Sequence, residues 1–130
     1  KGVHVGDAPQ STYSGAIRFD AFKNFYIKGQ YMFFDRFYSD FNPFILNGAN
    51  AGRDSWKVPG YGLLNVFMGY KVRVKKSEIV FNGSVTNLLD KHYISDAILS
   101  STYGTGFDVG SAGVMYGAGL RFNLGLSLQF

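Results

Sequence analysis

The 130 residues include no cysteine, which excludes a disulfide framework and thiolate metal sites. Proline is scarce as well, and no window holds the run of about 18 apolar residues that a membrane-spanning helix requires. That second absence leaves strand-built membrane proteins untouched, because their spans alternate instead of running. There are only two histidines, His4 and His92, far apart on segments that read as loops. With no Cys nucleophile beside them, no catalytic constellation forms, and Asp90 and Asp96 near His92 read as turn residues and not as metal ligands. Gly104-Thr105-Gly106 lacks the strand-loop-helix setting of a phosphate cradle. Nothing in the chain calls for a cofactor or metal, or marks an enzyme. Charge is sparse, with a formal net of +4, and Lys71, Arg73, Lys75 and Lys76 gather at a hairpin turn, which argues against a nucleic-acid surface. The sequence opens on Lys1 with neither Met nor a leader peptide, which fits a mature secreted protein and an internal fragment equally well.

Glycine and aromatic residues are plentiful, a composition suited to an all-β protein. The clearest pattern lies in residues 120–130. Leu120, Phe122, Leu124, Leu126, Leu128 and Phe130 are apolar, while Arg121, Asn123, Gly125, Ser127 and Gln129 are polar or Gly. This is a faultless period of two, hence a strand with one greasy and one wet face. A soluble edge strand ending so would invite aggregation, whereas a transmembrane barrel strand has lipid on one side and a wet lumen on the other.

Upstream, residues 1–10 read as a loop. From residue 13 to 21 the odd positions Tyr13, Ile17 and Phe19 oppose Ser14, Arg18 and Asp20, and after a turn at Lys23-Asn24 the odd row resumes with Phe25, Ile27, Tyr31 and Phe33. A second tight hairpin pairs the row Leu64, Val66, Met68, Tyr70, Val72 and Val74 with Ile79, Phe81 and Val85 across Lys75-Lys76. Between these lie long polar, Gly-rich segments near residues 38–57 and 88–113, after which residues 114–130 read as one terminal strand. Asn87 and Asp90 are expected to end their strand through side-chain to backbone hydrogen bonds. Connections therefore alternate short and long, as in outer-membrane barrels with short periplasmic turns and long extracellular loops. Tyr13, Tyr61, Tyr70 and Phe130 fall near strand ends, where an interfacial aromatic belt is expected.

Residues 123–130, Asn-Leu-Gly-Leu-Ser-Leu-Gln-Phe, resemble the C-terminal assembly signal of bacterial outer-membrane barrels, its defined positions filled by Asn123, Gly125, Leu128 and Phe130. Val58-Pro59-Gly60-Tyr61 entering one strand, and Asn87-Leu88-Leu89-Asp90-Lys91-His92-Tyr93 leaving the next, are similar to the end of TonB-dependent outer-membrane receptors. The resemblance implies an all-β fold, an antiparallel transmembrane β-barrel segment of about five C-terminal strands from a barrel of twenty-two. It implies a Gram-negative outer-membrane location and a role in energy-coupled import of an iron chelate, cobalamin or glycan. The implied partners are outer-membrane lipid, the remainder of the barrel and its plug domain, the TonB complex acting through the plug, and the assembly machinery.

The family's plug and TonB box have no counterpart among these residues. About five strands cannot close a cylinder alone, so the remaining strands are expected elsewhere. Arg18, Asp20, Lys28, Gln30, Arg36, Lys71, Arg73 and Arg121 are the candidate lumen-facing residues. Tyr38, Phe41, Phe44, Trp56, Tyr93 and Tyr103, on the long segments, either contact a ligand or pack against one another. Two rival readings stay open: a small outer-membrane barrel or pore built from several chains without active transport, and a water-soluble β-sandwich.

Overall fold

A computed structural model describes residues 3–45, 47–99 and 109–130. It is all-β, and its main sheet has five strands: β1 (Ser11–Phe22), β2 (Phe25–Asp35), β5 (Tyr61–Val74), β6 (Ser77–Thr86) and β9 (Arg121–Gln129). They lie in the order β1-β2-β5-β6-β9. The remaining strands are short: β3 (Phe37–Tyr38) pairs with β4 (Lys57–Val58), and β7 (Ile94–Leu99) with β8 (Ala112–Tyr116). No described helix is long and apolar enough to cross a membrane, a statement that leaves spanning strands open.

By its contacts the chain divides into two units. One holds residues Tyr13–Phe33, Gly62–Lys91 and Ala118–Phe130, the other Lys1–Thr12, Phe34–Tyr61 and His92–Gly117. In the first, alternation along each strand meets alternation on its neighbour in phase. Tyr70 stands opposite Phe81 and Phe81 opposite Leu126; Val72 opposes Ile79, and Ile79 opposes Leu128. Every apolar row thus continues across three strands, which fixes the register, since a slip of one residue would turn an entire row to the wrong face. The order of contacts also gives the direction of β2 against β5. The Tyr26 ring lies where a Cβ on Gly69 would be, Tyr31 likewise at Gly62, and the Lys71 N–H donates to the Asn24 carbonyl at 2.9 Å. Numbers rise on one strand as they fall on the other, so β2 and β5 are antiparallel.

The second unit has the only described cluster of buried apolar side chains: Phe37, Val58 and Ala97, with Trp56 and Ile94 packed against it. Backbone bonds knit it. The Ser39 N–H donates to the Trp56 carbonyl at 2.9 Å, Asp40 to Ala97 at 2.7 Å, and Leu99 to Asp40 at 2.8 Å.

Two sequence expectations are corrected here. Residues 88–113 are not irregular throughout, because Ile94–Leu99 forms β7. Its register shifts between Ile94 and Asp96, and such a bulge breaks the period of two that would have revealed a strand. Residues 114–130 are not one strand either: β8 ends at Tyr116, and β9 begins at Arg121. The interruption at residues 117–120 is held by groups across the sheet, described next.

Candidate functional site

The five-stranded sheet presents two unlike faces. On one, Ile17, Phe19, Tyr31, Phe81, Phe122, Leu124, Leu126 and Leu128 stand uncovered, with Leu124 88% and Phe122 77% exposed. Burying such a row is worth about 1.5–3 kcal/mol per large side chain, so leaving it bare in water is costly. Exposed apolar faces this extensive mark an interaction surface. Among the described residues no core covers the row from Leu120 to Phe130.

The other face carries charge. The Arg18 guanidinium pairs with Asp20 at 2.8 Å and sits 4.1 Å from the centroid of the Tyr26 ring. Lys28 lies 5.6 Å from the Phe67 centroid. Lys71 reaches Glu78 at 3.1 Å, and Arg73, paired across the ladder with Glu78, reaches it at 3.5 Å. Arg121 opposes Thr86, and Asn123 opposes Ser84, with an Asn123 Nδ2 to Ser84 Oγ distance of 3.5 Å. By strand parity Gln30 shares the face of Lys28. Arg36 leaves the set. It falls just beyond β2 with φ of 53°, which ends the extended run, and its side chain donates to Ser11 Oγ at 2.8 Å. Tyr26, Phe67 and Glu78 belong to this face and were not anticipated. Counting back from the two-residue turn at Lys75-Lys76 would have placed Glu78 opposite Arg73.

No known family model and no solved structure matches this chain. Its site must therefore be read from its own geometry.

The motif around Asn87 is a clasp. The buried Asn87 side chain donates from Nδ2 to the carbonyls of Lys91 and Ala118, both at 3.0 Å, and accepts the Lys91 N–H at 2.9 Å. Its own N–H donates to Asn65 Oδ1 at 3.0 Å, and Asp90 Oδ1 accepts the Leu120 N–H at 2.9 Å. Asn87 and Asp90 both have positive φ, 52° and 47°, a region Asn and Asp tolerate better than other side chains. Together these bonds tie the entry of β5, the exit of β6 and the approach to β9, as expected of strand-ending residues.

The aromatic candidates do not form one site. Trp56 packs on the buried cluster. Tyr38 stacks on His4 at 4.3 Å, and Tyr93 on Tyr61 at 4.3 Å, with Phe34 5.0 Å away on Tyr61. Tyr61 is thus engaged in a ring stack with both. Phe44 is 86% exposed, and Phe41 is partly covered. Tyr103, like Gly104-Thr105-Gly106, lies outside the described residues.

The His4 imidazole holds Asp54, Nδ1 to Oδ2 at 2.8 Å, while the His4 N–H donates to Oδ1 at 2.7 Å. Those two bonds draw the Asp54 carboxyl below its ordinary pKa. Asp7 is drawn the other way, by a hydrogen bond to Asp96 first and then by the charges of Asp96 and Asp40. Among the described residues no three His, Asp or Glu groups are placed to hold a metal ion.

Proposed function

We propose that this chain is the wall-forming C-terminal portion of a TonB-dependent receptor barrel in a Gram-negative outer membrane, serving energy-coupled import of a scarce nutrient. The observation that carries the reading is the two-faced sheet: a continuous apolar surface across β1, β2, β5, β6 and β9, left bare, backed by a charged and polar surface. Lipid on the first face and a wet lumen on the second satisfy both at once. The resemblance at Asn123, Gly125, Leu128 and Phe130, and at Val58–Tyr61 and Asn87–Tyr93, supports the receptor class in particular. On this reading Arg18, Asp20, Lys28, Gln30, Lys71, Arg73 and Arg121 line the lumen toward the plug domain. The segments around residues 38–57 and 88–113 are extracellular, and the turns at Lys23-Asn24 and Lys75-Lys76 are periplasmic.

In hydrocarbon the free edges of β1 and β9 would leave backbone groups unpaired at several kcal/mol each, so further strands complete the wall. The alternative, a small barrel assembled from copies of this sheet, meets a topological obstacle. Five antiparallel strands leave β1 and β9 running the same way. Copies inserted with one orientation could then join only through parallel edges, whereas such barrels are built from antiparallel pairs.

Tagging the polypeptide that carries this chain, fractionating its cells and weighing the intact protein tests the proposal. Recovery in the outer membrane with a parent of several hundred residues is expected. Recovery as a detergent-free soluble protein would overturn the membrane reading, and an outer-membrane protein close to this chain in mass would favour the alternative.

A further inference from the structure

On the polar face, at the end of the sheet where both short turns lie, is a concavity of about 730 Å³ lined by Lys23, Asn24, Lys71, Arg73 and Glu78. Three cations and a single carboxylate line it, and two of the cations, Lys71 and Arg73, meet on that carboxylate. Glu78 is largely covered, at 19% side-chain exposure, because Lys71 and Arg73 both lean on it; their own side chains are 59% and 82% exposed. One negative charge shared between two cations leaves donors unused. The Lys71 ammonium has three N–H groups and the Arg73 guanidinium five, and Glu78 accepts from each by one contact. Lys23 faces the same space and makes no ion pair among the described residues, and Lys75 and Lys76 on the adjoining turn add further positive charge. A concave surface with an excess of one charge focuses its field and concentrates counter-ions.

We propose that this concavity is a binding site for a dissolved phosphate-type oxyanion, free or carried on a soluble ligand, with Lys71, Arg73 and Lys23 as its donors. The guanidinium fork and the two ammonium groups match the chemistry of a phosphoryl group, with Arg73 giving a paired contact and the lysines point charges. Glu78 has two effects. It pre-orders Lys71 and Arg73, and it competes with the ligand for them. The apolar rows lie on the opposite side of the sheet, so a lipid headgroup anchored among acyl chains does not approach from this face. The inference stands on the geometry of this cluster and does not depend on the transport reading.

The test uses the full chain in zwitterionic detergent with inorganic pyrophosphate as probe, read by titration of backbone and Arg side-chain NMR signals. Saturable shifts confined to Lys23, Lys71, Arg73 and their neighbours are expected, weakening as salt rises. Lys71→Gln with Arg73→Gln should cut affinity at least about 10-fold, because two charge-assisted donors are lost together. Glu78→Gln should tighten binding, a result that a purely structural ion pair would not produce, and Lys91→Gln should change nothing. Absence of saturation, equal affinity in the double variant, or weaker binding in Glu78→Gln would each overturn the proposal. Binding seen only with phosphatidylglycerol vesicles and not with pyrophosphate would overturn it in favour of a lipid headgroup.

Discussion

Replacing Asn87 with Ala removes three hydrogen bonds from a side chain that is only 3% exposed. The lost partners are the carbonyls of Lys91 and Ala118 and the N–H of Lys91, and each buried polar group left unpaired costs about 1–3 kcal/mol. Partial rehydration at a strand end favours the low end of that range, so the bonds together contribute about 2–4 kcal/mol. The backbone adds to this. At φ of 52° an Ala pays roughly 1 kcal/mol more than Asn or Gly. The sum is a destabilisation of about 3–5 kcal/mol, large for one substitution. Urea unfolding of the chain refolded in detergent, followed by far-ultraviolet circular dichroism, measures it. Asn87→Gly separates the two causes, because it loses the bonds while relieving the backbone, and should fall about 1 kcal/mol short of the Ala variant. If Asn87→Ala lies within about 0.5 kcal/mol of the parent, as an ordinary surface change would, the clasp does not hold the sheet as argued.

Trp56→Ala should cost about 3–5 kcal/mol by opening the cluster of Phe37, Val58 and Ala97, whereas Phe44→Ala should stay within about 0.5 kcal/mol in the same unfolding assay. Gly69→Ala sets a methyl group against the Tyr26 ring, which must swing away from Arg18; a loss of about 1–3 kcal/mol and an altered Tyr26 NMR environment are expected. Acidification should exchange one tether of residues 4–7 for another. Asp54, with its folded pKa depressed, contributes above its ordinary value and loses that contribution as pH falls through the folded one. Asp7, with its folded pKa raised, contributes below its ordinary value and loses that contribution as pH rises through the folded one. Amide hydrogen exchange at His4 and Asp7 should therefore diverge across the carboxylate range, and Asp7→Asn, whose amide donates at every pH as the protonated carboxyl does, should remove the pH dependence of the Asp7 protection. Phe130→Ser should reduce outer-membrane assembly while leaving synthesis intact, as judged by fractionation; undiminished insertion would count against the role assigned to the terminal residues.

Much of the five-stranded sheet was legible because its signal is local. The rows from Leu64, Ile79 and Leu120 keep an apolar residue or Gly at every second position, and the two-residue turn at Lys75-Lys76 sets the pairing of β5 with β6 before any tertiary contact is considered. The strand-ending role of Asn87 was readable for the same reason, since it is the kind of residue that tolerates positive φ and bonds to nearby backbone. What escaped was non-local or masked. The bulge between Ile94 and Asp96 scrambled the alternation of β7, and β8 is too short to announce itself. Arg36 fits the polar parity of β2, but parity says nothing of a left-handed residue that stops the strand. Among the aromatic candidates, residue type could not separate Trp56, which packs on buried neighbours, from Phe44, which meets solvent.

The clasp has a consequence for how the chain tolerates change. The polypeptide departs after Lys91 and returns at Ala118 through one gateway, both carbonyls held by the same amide, and Leu120 is then fixed by Asp90. The register of β9 is thereby decoupled from the length of whatever is spliced between those two residues. Such a doorway suits the exchange of one intervening segment for another, by natural diversification or by deliberate grafting of a foreign epitope, with the zip of Thr86 to Arg121 preserved.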